Sequence, residues 1–120
     1  MEAITPRFPD ALVPGGRLRR GDAHVFPNLF PYDEISAIAV MCDAHFHPMD
    51  AMPQRVVTDG LTAARDFLRL AAGTFAGREG FGMVTWNYMP AAGATQVHPH
   101  MQMIATTSAG NALRRQLAAE

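Results

Sequence analysis

Between Pro53 and Ala76 apolar side chains recur at Val57, Leu61, Ala64, Leu68, Ala71 and Phe75, in steps of four, three, four, three and four. That period describes one amphipathic helix, with Arg55, Asp59, Arg65, Asp66 and Arg69 mainly off the apolar stripe and Pro53 suited to its first turn. A stripe of this length must lie against another apolar surface, and the flanking segments offer β-prone ones. "GRLRRGDAHVFPNLFPY" reads as one or two short strands, broken at Gly21 and ended by Pro27 and Pro31, because proline donates no ladder hydrogen bond. "ISAIAVMC" (35–42) has the compact β-branched pattern of a buried strand. "FGMVTWNYM" (81–89) and "QVHPHMQMIAT" (96–106), joined by "PAAGAT", suggest an antiparallel pair. Strands, then a long helix, then strands predict an α+β domain with the helix laid across one face of an antiparallel sheet. Residues 1–15 and 107–120 are expected at its periphery.

At 120 residues the chain fits one domain. Its ten basic residues are all arginine and its net charge is -1, so no basic face points to nucleic acid or an anionic membrane. One cysteine, Cys42, gives neither a disulfide framework nor a Cys-x-x-Cys pair and fits a reducing compartment. No apolar run reaches the roughly 18 residues of a membrane helix, and "MEAITPRFPD" does not read as a signal peptide. Cytoplasm is the expected location.

Polar chemistry concentrates in "QVHPHMQMIAT". On a strand, His98, His100 and Gln102 share one face while Pro99, Met101 and Met103 share the other. Neutral imidazole is a good nucleophile toward phosphorus near pH 7, and the cationic phosphohistidine is a good leaving group. Gln102 offers an amide donor to a phosphate oxygen but moves no proton. In the preceding loop Gly93 permits close backbone approach and Thr95 adds a hydroxyl, together suited to an anion; Asn87, on the neighbouring strand, suits a phosphate or ribose oxygen. Two other readings stand beside this one. The alternation also describes a solvated strand face, and histidines at i and i+2 can share a metal ion, although no carboxylate or thiol lies close in sequence to complete the set.

The segment "WNYMPAAGATQVHPHMQ" resembles the active-site segment of galactose-1-phosphate uridylyltransferases and their relatives, a branch of the histidine-triad superfamily. That pattern is an asparagine, a small-residue loop with Gly and Ser/Thr, then His-Pro-His-x-Gln, matched here by Asn87, Gly93, Thr95, His98, Pro99, His100 and Gln102. "FPNLFPYDEISAIAVMCDAHFHP" resembles the superfamily's earlier strand, and the likeness runs over residues 17–106. It implies that His100 attacks the α-phosphorus of a nucleoside diphosphate sugar, forming a nucleotidyl-histidine that a sugar 1-phosphate then discharges. Gln102 would stabilise that intermediate, with His98 beside it. Thr95 and the backbone at Gly93 would bind phosphate, Asn87 would hold the nucleotide and Asn28 the uridine. The resemblance also implies a homodimer and a chain matching the first of two half-domains. Histidine-triad hydrolases carry a third histidine where Gln102 stands, which favours transfer to a phosphate acceptor over hydrolysis. A dinucleoside polyphosphate phosphorylase or adenylyltransferase, and a non-catalytic nucleotide-binding module, are the alternatives.

The family's structural zinc uses a Cys-x-x-Cys pair and two histidines at the positions of His45 and His98. The cysteine pair is absent here and two ligands seldom hold zinc without help, so zinc is possible but not expected. His47 reads as a turn histidine, and His24 as a strand histidine with no implied role. Cys42 reads as a small buried hydrophobe, and Trp86 and Tyr88 as packing on the helix side of the sheet. Arg17, Arg19 and Arg20 read as a solvated strand face.

Overall fold

The computed structural model of the protein describes residues 6–28, 34–44, 46–87 and 98–107. Five strands, β1 (Leu18–Arg20), β2 (Ala23–Pro27), β3 (Ile35–Val40), β4 (Phe81–Thr85) and β5 (His100–Thr106), form one antiparallel sheet in the order β1-β2-β3-β5-β4. A single-turn 3-10 helix at Met49–Ala51 leads into α1 (Gln54–Gly73). The α+β class and the long helix across one sheet face are as the sequence predicts. Proline placement explains two boundaries: Pro27 is the last residue of β2, and Pro53 caps α1 from just outside rather than sitting in its first turn. Gly21 turns β1 into β2 with φ +56°, and a Cβ there would run into the Asp59 carboxylate.

Alternation sorts the sheet into two faces. Val25, Ala37, Ala39, Met101, Met103 and Ala105 are buried beneath α1, which contributes Val56, Gly60, Ala63, Ala64, Phe67 and Ala71. This is a correction to the apolar stripe read from sequence. The helix presents a face turned by about one residue, so Leu61 is 50% exposed while Phe67 and Gly60 are buried. The reason is close approach: a Cβ on Gly60 would lie 2.9 Å from Met41 Cγ, so the bare backbone at this position lets the helix settle on β3 and β5.

Residues 6–15 also differ from expectation. They are not peripheral, because Phe8 and Val13 are buried and the Phe8 ring stacks on Phe67 at 5.1 Å between centroids. Short flanking segments escape periodicity arguments, yet two large side chains suffice to close the core edge. Trp86 packs against the core on the helix side, as expected. Tyr88 lies outside the described residues.

Arg20 does not share a solvated face with Arg19. It points to the helix side, where its Nε donates to Asp66 at 2.7 Å and fastens β1 to α1. The bond from Arg20, and next that from Arg65, holds the Asp66 carboxyl below the usual aspartate range.

Candidate functional site

The face of the sheet opposite α1 carries the polar alternation. Cross-strand partners share a face, so the register defines rows that run perpendicular to the strands. One row is Arg19, His24, Val40 and His100, from β1 through β2 and β3 to β5. The next is Phe26, Ile38, Gln102 and Thr85. Beyond it Ser36, Ile104 and Met83 align, and Asn28 joins them by donating its backbone N–H to the Ser36 carbonyl at 3.0 Å.

His100 and Gln102 are half-buried on this face as the sequence predicts, while Met101 and Met103 are buried on the other. His100 Nδ1 lies 2.8 Å from the His98 carbonyl oxygen. A carbonyl only accepts, so Nδ1 carries the proton and the neutral ring keeps its lone pair on Nε2. That bond fixes the tautomer and the ring plane together. Gln102 makes no side-chain hydrogen bond among the described residues, and its amide lines a shallow depression of about 270 Å³ with Thr85, Met83 and Ile104.

His98 differs from its expected role. It precedes β5, which begins at His100, and its Nε2–H donates to the Cys42 carbonyl at the end of β3. The strand starts late because Pro99 has no N–H to give; instead its carbonyl accepts from Met41 N at 2.9 Å. His98 therefore ties β5 to the chain after β3 and, through its own carbonyl, orients His100.

Asn28 is half-buried on the same face, with its amide 3.5 Å from the Ser36 hydroxyl. Asn87 is exposed, two residues past Thr85, which pairs with Gln102. Gly93 and Thr95 lie outside the described residues, as does His45.

A zinc ion of the kind the resemblance leaves possible does not suit the groups described. His98 Nε2 is committed to a backbone carbonyl, and Cys42 is buried with its thiol bonded to the Ala44 carbonyl at 3.5 Å. Burial pushes that thiol upward, away from the thiolate a metal needs. Among the described residues no group of three or more His, Cys, Asp or Glu could hold a metal ion. Cys42 is the small buried hydrophobe expected.

Sequence reasoning gave His24 no role, but the register sets it on the open face in the same row as His100. The signal that could have found it is strand order, which is non-local and not written in the spacing.

No protein-family model matches the chain. An uncharacterised protein of Archaeoglobus fulgidus is 26% identical over 106 residues, covering 87% of this chain. The chain spans 30% of that relative's length. Among solved structures, a histidine triad nucleotide-binding protein from Candida albicans superposes with a TM-score of 0.64 at 14% identity, covering 89% of this chain and 71% of that one. The fold is the histidine-triad fold. An ADP-glucose phosphorylase from Arabidopsis thaliana, solved with bound ADP-glucose, gives a TM-score of 0.65 at 18% identity over 77% of this chain and 36% of its own. In a histidine-triad fold the His100 strand lies inside the sheet, between β3 and β4, so the imidazole is backed by two neighbouring strands. No helix among the described residues is long and apolar enough to cross a membrane.

Proposed function

We propose that the protein transfers a nucleoside monophosphate through a covalent intermediate on His100. The observation that carries this reading is the bond from His100 Nδ1 to the His98 carbonyl, which leaves Nε2 as an oriented nucleophile beside the amide of Gln102, itself without a partner among the described residues. In the first half-reaction Nε2 bonds to the α-phosphorus of a nucleoside diphosphate sugar. The bridging P–O bond breaks, and its electron pair leaves on the sugar 1-phosphate. In the second, a phosphate oxygen of an acceptor sugar 1-phosphate bonds to phosphorus, the N–P bond breaks and neutral imidazole returns. An anionic acceptor needs no deprotonation, which suits a site whose next inward side chain is an amide. The phosphate loop is assigned to Gly93 and Thr95 and the nucleotide contacts to Asn87 and Asn28. Phe26 and Ile38 form the apolar surface between His100 and Asn28 on which the nucleoside lies. Uridine is the base favoured by the motif resemblance, galactose 1-phosphate the acceptor, and a cytoplasmic homodimer the setting.

A second reading draws on the likeness to ADP-glucose phosphorylase. It replaces UMP by AMP and the acceptor sugar phosphate by inorganic phosphate, with the same role for His100. The likeness to a nucleotide-binding protein supports a third, in which the site binds nucleotide without turnover.

Intact mass after incubation with UDP-glucose, ADP-glucose or a diadenosine polyphosphate separates them, provided the quench spares phosphoramidates. A UMP adduct that disappears in His100→Ala supports the first reading and an AMP adduct the second. Nucleotide binding with no adduct from any donor leaves only the third.

A further inference from the structure

The row that contains His100 continues across the sheet to two groups that nucleotidyl transfer, as set out above, does not use. His24 lies opposite Val40, and Val40 opposite His100, so His24 and His100 are two strands apart on one face, about 10 Å at the usual spacing. Arg19 is the direct cross-strand partner of His24. The imidazole of His24 is half-buried and makes no hydrogen bond among the described residues. Arg19 is exposed and donates through Nε to the Gly21 carbonyl at 3.1 Å. That contact engages Nε, and the terminal nitrogens make no hydrogen bond among the described residues.

The charge pattern around this pair is one-sided. Among the described residues, the other side chains that the register sets on the open face in this row and the next two are Val40, Phe26, Ile38, Gln102, Thr85, Asn28, Ser36, Ile104 and Met83, none of them acidic. The nearest carboxylate in sequence, Asp22, is drawn to the helix side by Arg55 at 2.6 Å. A guanidinium and an imidazole placed opposite each other both offer N–H donors, and an anion lying between them accepts from both.

We infer that Arg19 and His24 form a subsite for a second phosphoryl group of the substrate, one remote from the phosphorus that His100 attacks. The inference rests on the transfer reading for the position of the first phosphoryl group. At two strand spacings the pair is too far from His100 to share the attacked phosphate and close enough for the distal end of a polyphosphate chain. The phosphates then run across the strands along the row of His100, while the nucleoside occupies the parallel row of Phe26 and Ile38. Arg19 and His24 are thereby specificity residues: they extend the donors that His100 can use to chains of three or more linked phosphates, while a nucleoside diphosphate sugar does not reach them.

The test begins with binding of inorganic tripolyphosphate and orthophosphate, measured by calorimetry on the full chain, with folding of each variant checked by circular dichroism. Tripolyphosphate should bind more tightly, and Arg19→Gln and His24→Gln should each weaken it roughly ten-fold, as expected for loss of one hydrogen bond to a charged phosphate oxygen. Orthophosphate binding should change little. Arg19 is exposed on an edge strand, so its variant tests the subsite even if His24→Gln folds poorly. In the second arm His100 adduct formation is followed with a nucleoside triphosphate and with UDP-glucose. The variants should slow the former and spare the latter. Unchanged tripolyphosphate affinity in both variants overturns the subsite, whatever His100 does. Tripolyphosphate binding that depends on both residues, with no adduct from any donor, retains the anion subsite and removes the transfer reading.

Discussion

Gln102 stands where a third histidine would complete the alternation of His98 and His100, and an amide in place of imidazole decides what could follow the covalent step proposed for His100. An amide holds a phosphate oxygen but neither takes a proton from water nor gives one to a leaving group. Gln102→His should therefore raise hydrolysis of the nucleotidyl intermediate relative to transfer by on the order of 100-fold, the low end of general acid–base contributions. Chromatographic measurement of free nucleoside monophosphate against transfer product reads that ratio, and an unchanged ratio would sink the role given to Gln102. This residue was legible from sequence because strand alternation has a period of two regardless of what the strand pairs with. His98 was not, because its placement depends on a carbonyl of Cys42 that is 56 residues away in the chain. The same holds for His24, brought level with His100 only through the pairing of β2 with β3 and β3 with β5.

The helix shows the limit of reading an element without its neighbour. Apolar residues at 57, 61, 64, 68 and 71 and those at 56, 60, 63, 67 and 71 make adjacent stripes, and periodicity alone favours the one with larger leucines. Packing favours the other, since Gly60 admits Met41 and Phe67 meets Phe8. Leu61 and Leu68 are left along a groove between α1 and β4. The two registers predict different costs. Phe67→Ala should destabilise by about 3–5 kcal/mol, whereas Leu61→Ala should stay within about 0.5 kcal/mol, both read from denaturant unfolding. Gly60→Ala sets two effects against each other. Alanine gains about 1 kcal/mol in helix propensity, but its methyl group meets the fully buried Met41 2.9 Å from Cγ, and overpacking of that kind costs about 1–3 kcal/mol. Net destabilisation is the expected outcome, and a stabilised variant would show that the helix stands farther from β3 than described. The existence and class of α1 and of β3, β4 and β5 were legible here, whereas the 3-10 turn at Met49–Ala51 was not; nor was the face that α1 turns inward, because it was settled by a glycine that periodicity treats as a gap.

Across the whole molecule, two carboxylates clasp the frame well away from His100. Asp66 holds β1 to α1 through Arg20, and Glu34, just before β3, gathers the far end of β5. Glu34 accepts from the Thr107 hydroxyl at 2.9 Å, the Thr107 backbone N–H at 2.9 Å and the Thr106 hydroxyl at 3.0 Å. The bond from the Thr107 hydroxyl, then that from its backbone, lowers the Glu34 carboxyl below its ordinary value of 4.5. A carboxyl with a depressed value in the folded chain contributes stability that is present above its unfolded value and lost as pH falls through the folded one. Asp66, lowered from 3.8 chiefly by Arg20, acts in the same direction at lower pH. Because Glu34→Gln keeps a carbonyl acceptor and loses only the charge, the melting-temperature gap between wild type and variant isolates the ionic part. That gap should be full at pH 6–7, begin to close below about 4.5 and narrow further as pH falls. Thermal melts from pH 7 to pH 3 test it: a gap that stays constant over this range would mean that the threonines hold the neutral acid as well as the carboxylate. The clasp is exposed, so moderate salt should shrink the neutral-pH gap as well, whereas a gap set by packing would not respond.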